Sequence, residues 1–480
     1  MSALFRPSAG LVLIVSLAFA APLSGSDAVP ARAPLALEDA VRMALENSRR
    51  LEVARTAEAS AAEEVRGARA AFFPVISFEA GYVRLDEAPY ISGNSFLPLL
   101  EGLRRPFESL ARDGLLPLSE LQGLTVGPGH VVVGDEDNYS AGFRLRQPLF
   151  TGFALRGAHE SAVRRREAEG WGLRREEECV RFDVTAAYFD LAKAVALEGT
   201  AESAVAMFEG HVRDREALRG SGVILEADLL RARVELSKAK LDLSRARSGI
   251  RLATVRLAYE IGSPLGPVAP SDTLGPREPV EEDLEDLTGR ALERRPDRRA
   301  LLAAIEATRA GARVPRGRFY PNLFLVGSYD WKRPDREFED DFYDSWNVGL
   351  ALDWTLFDGG ARRSRGARAS LEETRLRALL AMQEEGIRLE MERAYLLRRD
   401  ARTALILAEE QCAAAEEFRR VVGEALGGGA ATRTDLLDAE TMRSAARKER
   451  VDARADLLLA EARLAYAIGG SAGGRGEKDR

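Results

Sequence analysis

The chain has 480 residues, 46% of them hydrophobic, and 69 basic residues against 76 acidic ones leave a formal net charge of −7. That is enough apolar material for a large buried core. The charges are interspersed and form no basic face, which argues against a nucleic-acid partner.

The N-terminus reads as a targeting segment. Arg6 precedes the apolar run Leu11–Ala20, and Ala18-Phe19-Ala20 supplies a small-x-small cleavage pattern, so residues 1–21 form a signal peptide and the mature protein is exported. A ten-residue run is too short to span a bilayer as a helix. No cysteine follows to carry a lipid, and no later stretch is long and apolar enough for a transmembrane helix. Residues 22–36, rich in Pro, Ala and Ser, read as a loose leader.

From Leu37 to about Ala71 the pattern predicts one helix, ending before Pro74 in FFPVISFEAGY. A strand follows, with Ile76, Phe78, Ala80 and Tyr82 on one face and Ser77, Glu79 and Gly81 on the other. A long loop, about Leu85 to Asn138, precedes a second strand in which Ala141, Phe143, Leu145 and Leu149 oppose Gly142, Arg144 and Arg146. After a glycine corner, Ala154 to about Arg219 lacks proline and predicts a helix roughly 97 Å long at about 1.5 Å per residue. The turn GSGVILEADLL leads to a returning helix with Leu229, Leu236, Leu243, Ile250 and Leu257 at seven-residue steps, the spacing of a coiled coil.

The same order then recurs. Leu284–Arg313 predicts a helix ending at Pro321 in FYPNLFLVGSY. A third strand sets Leu323, Leu325, Tyr329 and Trp331 against Ser328 and Asp330. A fourth, beyond the acidic loop Lys332–Ser345, sets Trp346, Val348, Leu350, Leu352, Trp354 and Leu356 against Asn347, Gly349, Asp353 and Thr355. Ala361 to about Leu426 is a second long helix, and GGGAATRTDLL leads into its returning partner. Residues 470–480 read as a disordered tail.

The recurrence is a tandem duplication. Residues 141–262 and 348–469 align without a gap at an offset of 207, with Tyr188 on Tyr395, Asp228 on Asp435 and Tyr259 on Tyr466. The preceding segments align at 247, with Pro74 on Pro321 and Tyr82 on Tyr329, so the first copy carries 247 − 207 = 40 extra residues between Tyr82 and Ser140. The predicted repeats are 37–269 and 270–469.

Period-two alternation over about ten residues fits a barrel strand with lipid on one side and water on the other. Tyr82, Tyr329, Trp331, Trp346 and Trp354 then fall where interfacial aromatics belong. A half-buried sheet in a soluble sandwich would show the same alternation, but the polar rod of helices, too hydrophilic for lipid, favours the membrane reading. Four strands cannot close a barrel, so several chains must contribute, a dimer with eight strands or a trimer with twelve. Cys179 and Cys412 lie on the two long helices, about 39 Å apart if those run in register, too far for a disulfide.

Taken together, LALEDAVRMALENSRRL, the FFPVISFEAGY and FYPNLFLVGSY transitions, QPLFTG, WTLFDGG and the paired DLL segments resemble the TolC-type outer membrane factor family over nearly the whole mature chain. The resemblance implies a homotrimer in the outer membrane lipid, a shared 12-stranded transmembrane β-barrel continued by a periplasmic α-helical coiled-coil barrel. It also implies a passive exit duct for small-molecule efflux, partnered by a periplasmic adaptor protein and, through it, an inner-membrane transporter. A type I protein secretion duct shares this architecture. The rival of another class is an exported coiled-coil tether without a channel.

The helix-to-helix turns are the most informative loops. Glycines let the chain reverse, and Thr434, Asp435 and Asp228 suit a helix N-terminus. Asp435 and Asp438, three apart, share a helical face; the resemblance implies that they, with Asp228, line a periplasmic constriction. It also assigns adaptor contact to Gly222, Val223, Ile224, Gly429, Ala430 and Ala431. Leu426 and Ala431 stand where the family can carry a tyrosine and an arginine that latch the closed state. No enzyme is expected. His130, His159 and His211 lack metal-ligand spacing, and the glycines at 427–429 lack the Lys-Ser/Thr of a phosphate loop. No cofactor or metal is expected either.

Overall fold

The computed structural model describes residues 32–92, 130–132, 135–220, 226–272, 282–334 and 341–470, with isolated positions 102 and 112. Residues 1–21, read from the sequence as a signal peptide, most of the 85–138 loop, and residues 471–480 of the predicted tail lie outside the described residues.

Two helices of 67 residues dominate, α3 (Ala154–Gly220) and α8 (Ala361–Gly427). Each is about 100 Å long at about 1.5 Å per residue. Their returning partners, α4 (Glu226–Ile261) and α9 (Arg433–Ile468), have 36 residues each, and both pairs are related by the 207-residue offset read from the sequence. The remaining helices are α1 (Leu37–Asn47), α2 (Arg49–Ala70), α5 (Leu284–Arg294), α6 (Pro296–Gly311) and α7 (Arg313–Gly317). Helices α2 and α4 lie along α3, while α6 packs against both long helices and α9 joins α8 to α3. The result is a wall of helices with no central globular core.

The cores sit at the waist and repeat by position. Ala40, Ala44, Val180, Val184 and Leu257 are buried together in the first copy. Leu287, Ala291, Ile387, Met391 and Leu464, their counterparts at offsets of 247 and 207, are buried together in the second. Small residues on α1 and α9 let backbones approach closely, so the long helices are held by thin layers of side chains.

The predicted single helices over 37–71 and 284–313 are each broken. Ser48 and Arg295, equivalent at the 247 offset, take extended backbone angles (ψ 121° and 123°) and separate α1 from α2 and α5 from α6. In the second copy Pro296 at the first position of α6 sets the break, since the residue before proline is driven out of the helical region. In the first copy the break has no proline, and tertiary contacts hold it. Arg50 reaches α3 at Asp183 (2.7 Å) and Glu176 (2.6 Å). At the second break Arg295, 3% exposed, pairs with Asp297 (2.8 Å) and with Glu390 of α8 (2.5 Å) and donates to the Ala467 carbonyl. Glu390 is the repeat counterpart of Asp183, so one acidic position on each long helix anchors each break.

The predicted leader also differs in part: Ala33–Leu35 forms β1, paired in parallel with β6 (Val268–Pro270). The Tyr188 hydroxyl donates to the Leu35 carbonyl at 2.8 Å and locks this small sheet to α3. Among the described residues both cysteines are free thiols; Cys412 is buried, and Cys179 is half-buried with its sulfur 3.2 Å from the Tyr466 hydroxyl.

The main sheet has four strands, β2 (Val75–Arg84), β5 (Asp137–Phe150), β7 (Asn322–Arg333) and β8 (Tyr343–Asp353), all antiparallel in the order β2-β5-β7-β8. A short hairpin of β3 (Tyr90–Ser92) and β4 (His130–Val132) belongs to the long loop. The chain passes from sheet to rod through a tight corner. Gly152 and Phe153 both have positive φ, as do their counterparts Gly359 and Gly360. A Cβ on Gly152 would sit 2.3 Å from the Gly317 carbonyl oxygen, so no larger residue fits there.

Candidate functional site

Register decides which side chains share a face of the sheet. Cross-strand partners run Ile76–Leu145–Gly327–Val348, then Phe78–Phe143–Tyr329–Trp346, then Ala80–Ala141–Trp331. Leu325–Leu350 and Leu323–Leu352 continue the same face toward the helices. This apolar surface spans all four strands and faces away from the rest of the protomer, with Val348, Leu350 and Leu352 about two-thirds exposed. The opposite face is polar: Arg144 pairs with Glu79 at 2.8 Å, and Asn347 donates to the Ser328 hydroxyl at 2.7 Å. One side of the sheet therefore suits hydrocarbon and the other water.

Aromatics rim the far end of the apolar face. Tyr82 lies tilted against Tyr139 (4.9 Å), Tyr329 meets Trp331 edge to face (4.6 Å), and Trp346 pairs with Tyr329 across the strands. Phe72, Phe73, Phe150, Phe153, Phe319 and Tyr320 form a second exposed group at the helix end. Trp354 joins this lower group beyond the end of β8, its indole N–H donating to the Phe319 carbonyl at 3.2 Å. The ladder is irregular between Pro148 and Phe150, so Phe150 pairs with Leu323 and takes the place on the apolar face that alternation gives to Leu149. Among the described residues both outer strands, β2 and β8, keep one backbone edge unpaired.

At the far end of the rod the second turn is closed at both sides. Helix α8 stops in a Schellman arrangement: Gly429 has φ +77°, the Ala430 N–H reaches the Ala425 carbonyl at 2.8 Å, and Gly429 N–H reaches Leu426 at 3.1 Å. Helix α9 opens on a capping box whose N-cap is Thr432 rather than Thr434 or Asp435. Asp435 accepts from the Thr432 hydroxyl (2.7 Å) and backbone N–H (2.8 Å), and these bonds hold its carboxyl below the usual aspartate range. Asp438 stands on the same exposed face, 3.5 Å from Arg231 of α4. Asp228 lies in the first turn of α4, three residues before Arg231. The two returning helices thus meet at the tip through Asp438, while Asp435 is committed to its own cap. Ala430 and Gly429 are exposed, and Leu426 and Ala431 are half-buried. Gly222, Val223 and Ile224 lie outside the described residues.

Close to the tip stands a polar cluster that sequence reasoning missed. His211 of α3, which has no metal-ligand spacing in the sequence, is hydrogen-bonded through Nε2 to Glu440 of α9, which is 4% exposed. Arg419 of α8 reaches the other Glu440 oxygen at 3.4 Å. Burial alone would raise the Glu440 pKa, but His211, Arg419 and Arg443 outweigh it and hold the carboxyl below its usual range. A glutamate beside Ala439, in a stripe of small residues, was the available signal; its partner lies 229 positions away. Next to it the buried Arg215 donates to the Arg433 carbonyl at 3.2 Å, and burial lowers its pKa. These contacts join the α3/α4 hairpin to the α8/α9 hairpin.

Among the described residues no group of His, Cys, Asp and Glu could hold a metal ion, and no helix is long and apolar enough to cross a membrane. Residues 287–470 match the family model described as outer membrane efflux protein. The chain is similar to the outer membrane efflux protein BepC of Brucella suis biovar 1 (strain 1330), 24% identical over 335 residues, 69% of this chain and 72% of that one. Solved structures share the whole fold. CusC superposes with a TM-score of 0.71 at 17% identity, covering 91% of this chain and 92% of that one. The open state of the Neisseria gonorrhoeae MtrE outer membrane channel gives 0.71 at 20%, covering 90% and 89%. The outer-membrane channel OprN gives 0.68 at 21%, covering 91% and 90%.

Proposed function

We propose that this chain, a member of the outer membrane efflux protein family with the fold of the TolC-type channels, is the homotrimeric exit duct of a tripartite efflux system. The observation that carries the reading is the complementarity of the protomer's two flanks. On one flank β2 leaves its backbone edge open and α4 exposes Val234, Leu241, Leu252 and Tyr259. On the other, β8 leaves its edge open and α8 exposes Met382, Leu389 and Leu396. Flank against flank is a head-to-tail contact that closes on itself by rotation. Three copies make 3 × 4 = 12 strands, and every backbone edge in the bilayer is then paired.

In that ring the apolar sheet face meets lipid and the polar face, with Glu79, Arg144, Ser328 and Asn347, lines water. The duct does no chemistry; its work is to keep a wet path continuous from rod to barrel. Asp435, Asp438 and Asp228 ring its periplasmic end. Repeated around one axis, their carboxylates favour cations over anions. The turns at Gly222, Val223, Ile224, Gly429, Ala430 and Ala431 face the periplasmic adaptor, and through it the inner-membrane transporter. Efflux, rather than protein secretion, follows the names of the family model and the curated relative.

The test is to purify the protein from outer membranes, look for heat-modifiable trimers, and measure conductance in planar bilayers. Trimers with discrete ion-conducting steps are expected. A monomer without conductance would leave only a coiled-coil tether.

A further inference from the structure

A groove between α3 and α9, about 290 Å³ in volume, is lined on one side by Gly199, Thr200 and Ser203 and on the other by Arg443, Arg447 and Arg450. The arginines are four and three residues apart, which places them on one face of α9. They are poorly neutralised. Arg447 donates to Glu416 of α8 at 2.8 and 3.1 Å. Arg443 has the Met207 sulfur at 3.8 Å, a weak acceptor, and among the described residues Arg450 makes no ion pair. Three guanidinium groups therefore share one directly paired carboxylate, Glu416, while Glu440, already held by His211 and Arg419, acts on Arg443 only at longer range. All three pull the Glu416 carboxyl below its usual range, Arg447 most strongly. On the opposite wall the Thr200 and Ser203 hydroxyls donate to the Ala196 and Gly199 carbonyls and leave the groove open.

We propose that this groove binds an oxyanion carrying at least two negative charges, of the phosphate class. Guanidinium groups present planar forks of donors that match oxyanion geometry and bind it two bonds at a time. Single-charge anions would leave the surplus charge of the groove uncancelled. The site begins about 15 Å along α9 from its first turn, on the polar rod and away from the bilayer. It lies inside one protomer and stands whether or not the chain trimerises. A bound oxyanion would remove the repulsion among the three arginines at the joint of α3 and α9, where Lys193 already bridges to Asp452 and Asp456.

The experiment is isothermal titration of the full-length protein in detergent with inorganic phosphate and with pyrophosphate, at constant ionic strength, with acetate as the singly charged control. Saturable binding of one ligand per chain is expected for phosphate and pyrophosphate, and none for acetate. Arg443→Gln with Arg450→Gln should weaken it by about a hundredfold, since each charge-assisted bond removed costs about tenfold. Arg420→Gln, which removes an exposed arginine held by Glu417 and Glu424, should leave it unchanged. The charge-keeping pair Arg443→Lys with Arg450→Lys should retain part of the affinity. Binding that never saturates, that acetate matches, or that survives the double Gln variant overturns the proposal. Circular dichroism of each variant separates lost binding from lost fold.

Discussion

Val348 and Asn347 are adjacent on β8 and both exposed in the protomer, yet they point to opposite faces of the sheet. Arginine at each position therefore weighs the membrane reading against a soluble one. Along β7 the apolar face runs from Leu323 to Trp331, eight steps or about 26 Å of strand, and Gly327, the partner of Val348, is at its midpoint. Val348→Arg then sits about 13 Å from either end, near the bilayer midplane. An arginine there costs about 2–4 kcal/mol per chain, a factor of roughly 30 to 1,000 in the folding equilibrium. Asn347→Arg faces water and should cost close to nothing. The assay is urea unfolding of each variant in lipid vesicles, followed by band-shift or tryptophan fluorescence, beside the yield of heat-modifiable trimer in outer membranes. Val348→Arg should unfold at markedly lower urea, and Asn347→Arg with the parent. In a soluble sheet both are surface changes worth less than about 0.5 kcal/mol, so equal midpoints would refute the assignment of the faces.

Four further outcomes are expected. Arg295→Met removes the buried guanidinium shared by Asp297 and Glu390, at a cost of about 1–3 kcal/mol because both carboxylates keep some access to water; hydrogen exchange should quicken at the start of α6 and the end of α9. Glu440, with its folded pKa depressed, contributes stability that is present above the unfolded glutamate value and lost as pH falls through the folded one. Exchange at the first turns of α9 should therefore speed up only below the ordinary glutamate range, and Glu440→Gln should show it already at neutral pH. Asp435→Asn with Asp438→Asn should weaken cation selectivity in bilayer conductance, and unchanged selectivity would count against an acidic ring. A bulky residue at Gly222 should abolish transport while trimers persist; full transport would remove that turn from the adaptor contact.

Much of the architecture was legible because its signals are local. Alternation at period two assigned Ile76, Phe143, Tyr329 and Val348 each to the apolar face of its own strand, and the ladder aligns them in two neighbouring rows. The long helices announced themselves by the absence of proline and the seven-residue spacing of Leu229, Leu236 and Leu243. The helix breaks were less visible. Ser48 carries no breaker, and the cost of its extended backbone is offset by Arg50 reaching two carboxylates on another helix. The bulge near Leu149 leaves no mark in the alternation, since Leu149 and Phe150 are equally apolar.

By itself the sequence determined the repeat, the two periodicities and the polarity of each element, because these depend on neighbours within a few positions. The tertiary structure alone decided which charged groups meet. His211 and Glu440, or Arg443 and Met207, are more than two hundred positions apart. They come together only after two hairpins of about 100 Å have chosen a common register. That register is set by buried alanines and thin layers of larger apolar side chains at the waist, where a slip of one turn would empty the packed layers. Position along the rod is therefore a property of the whole packed wall, and no local stretch of the chain contains it.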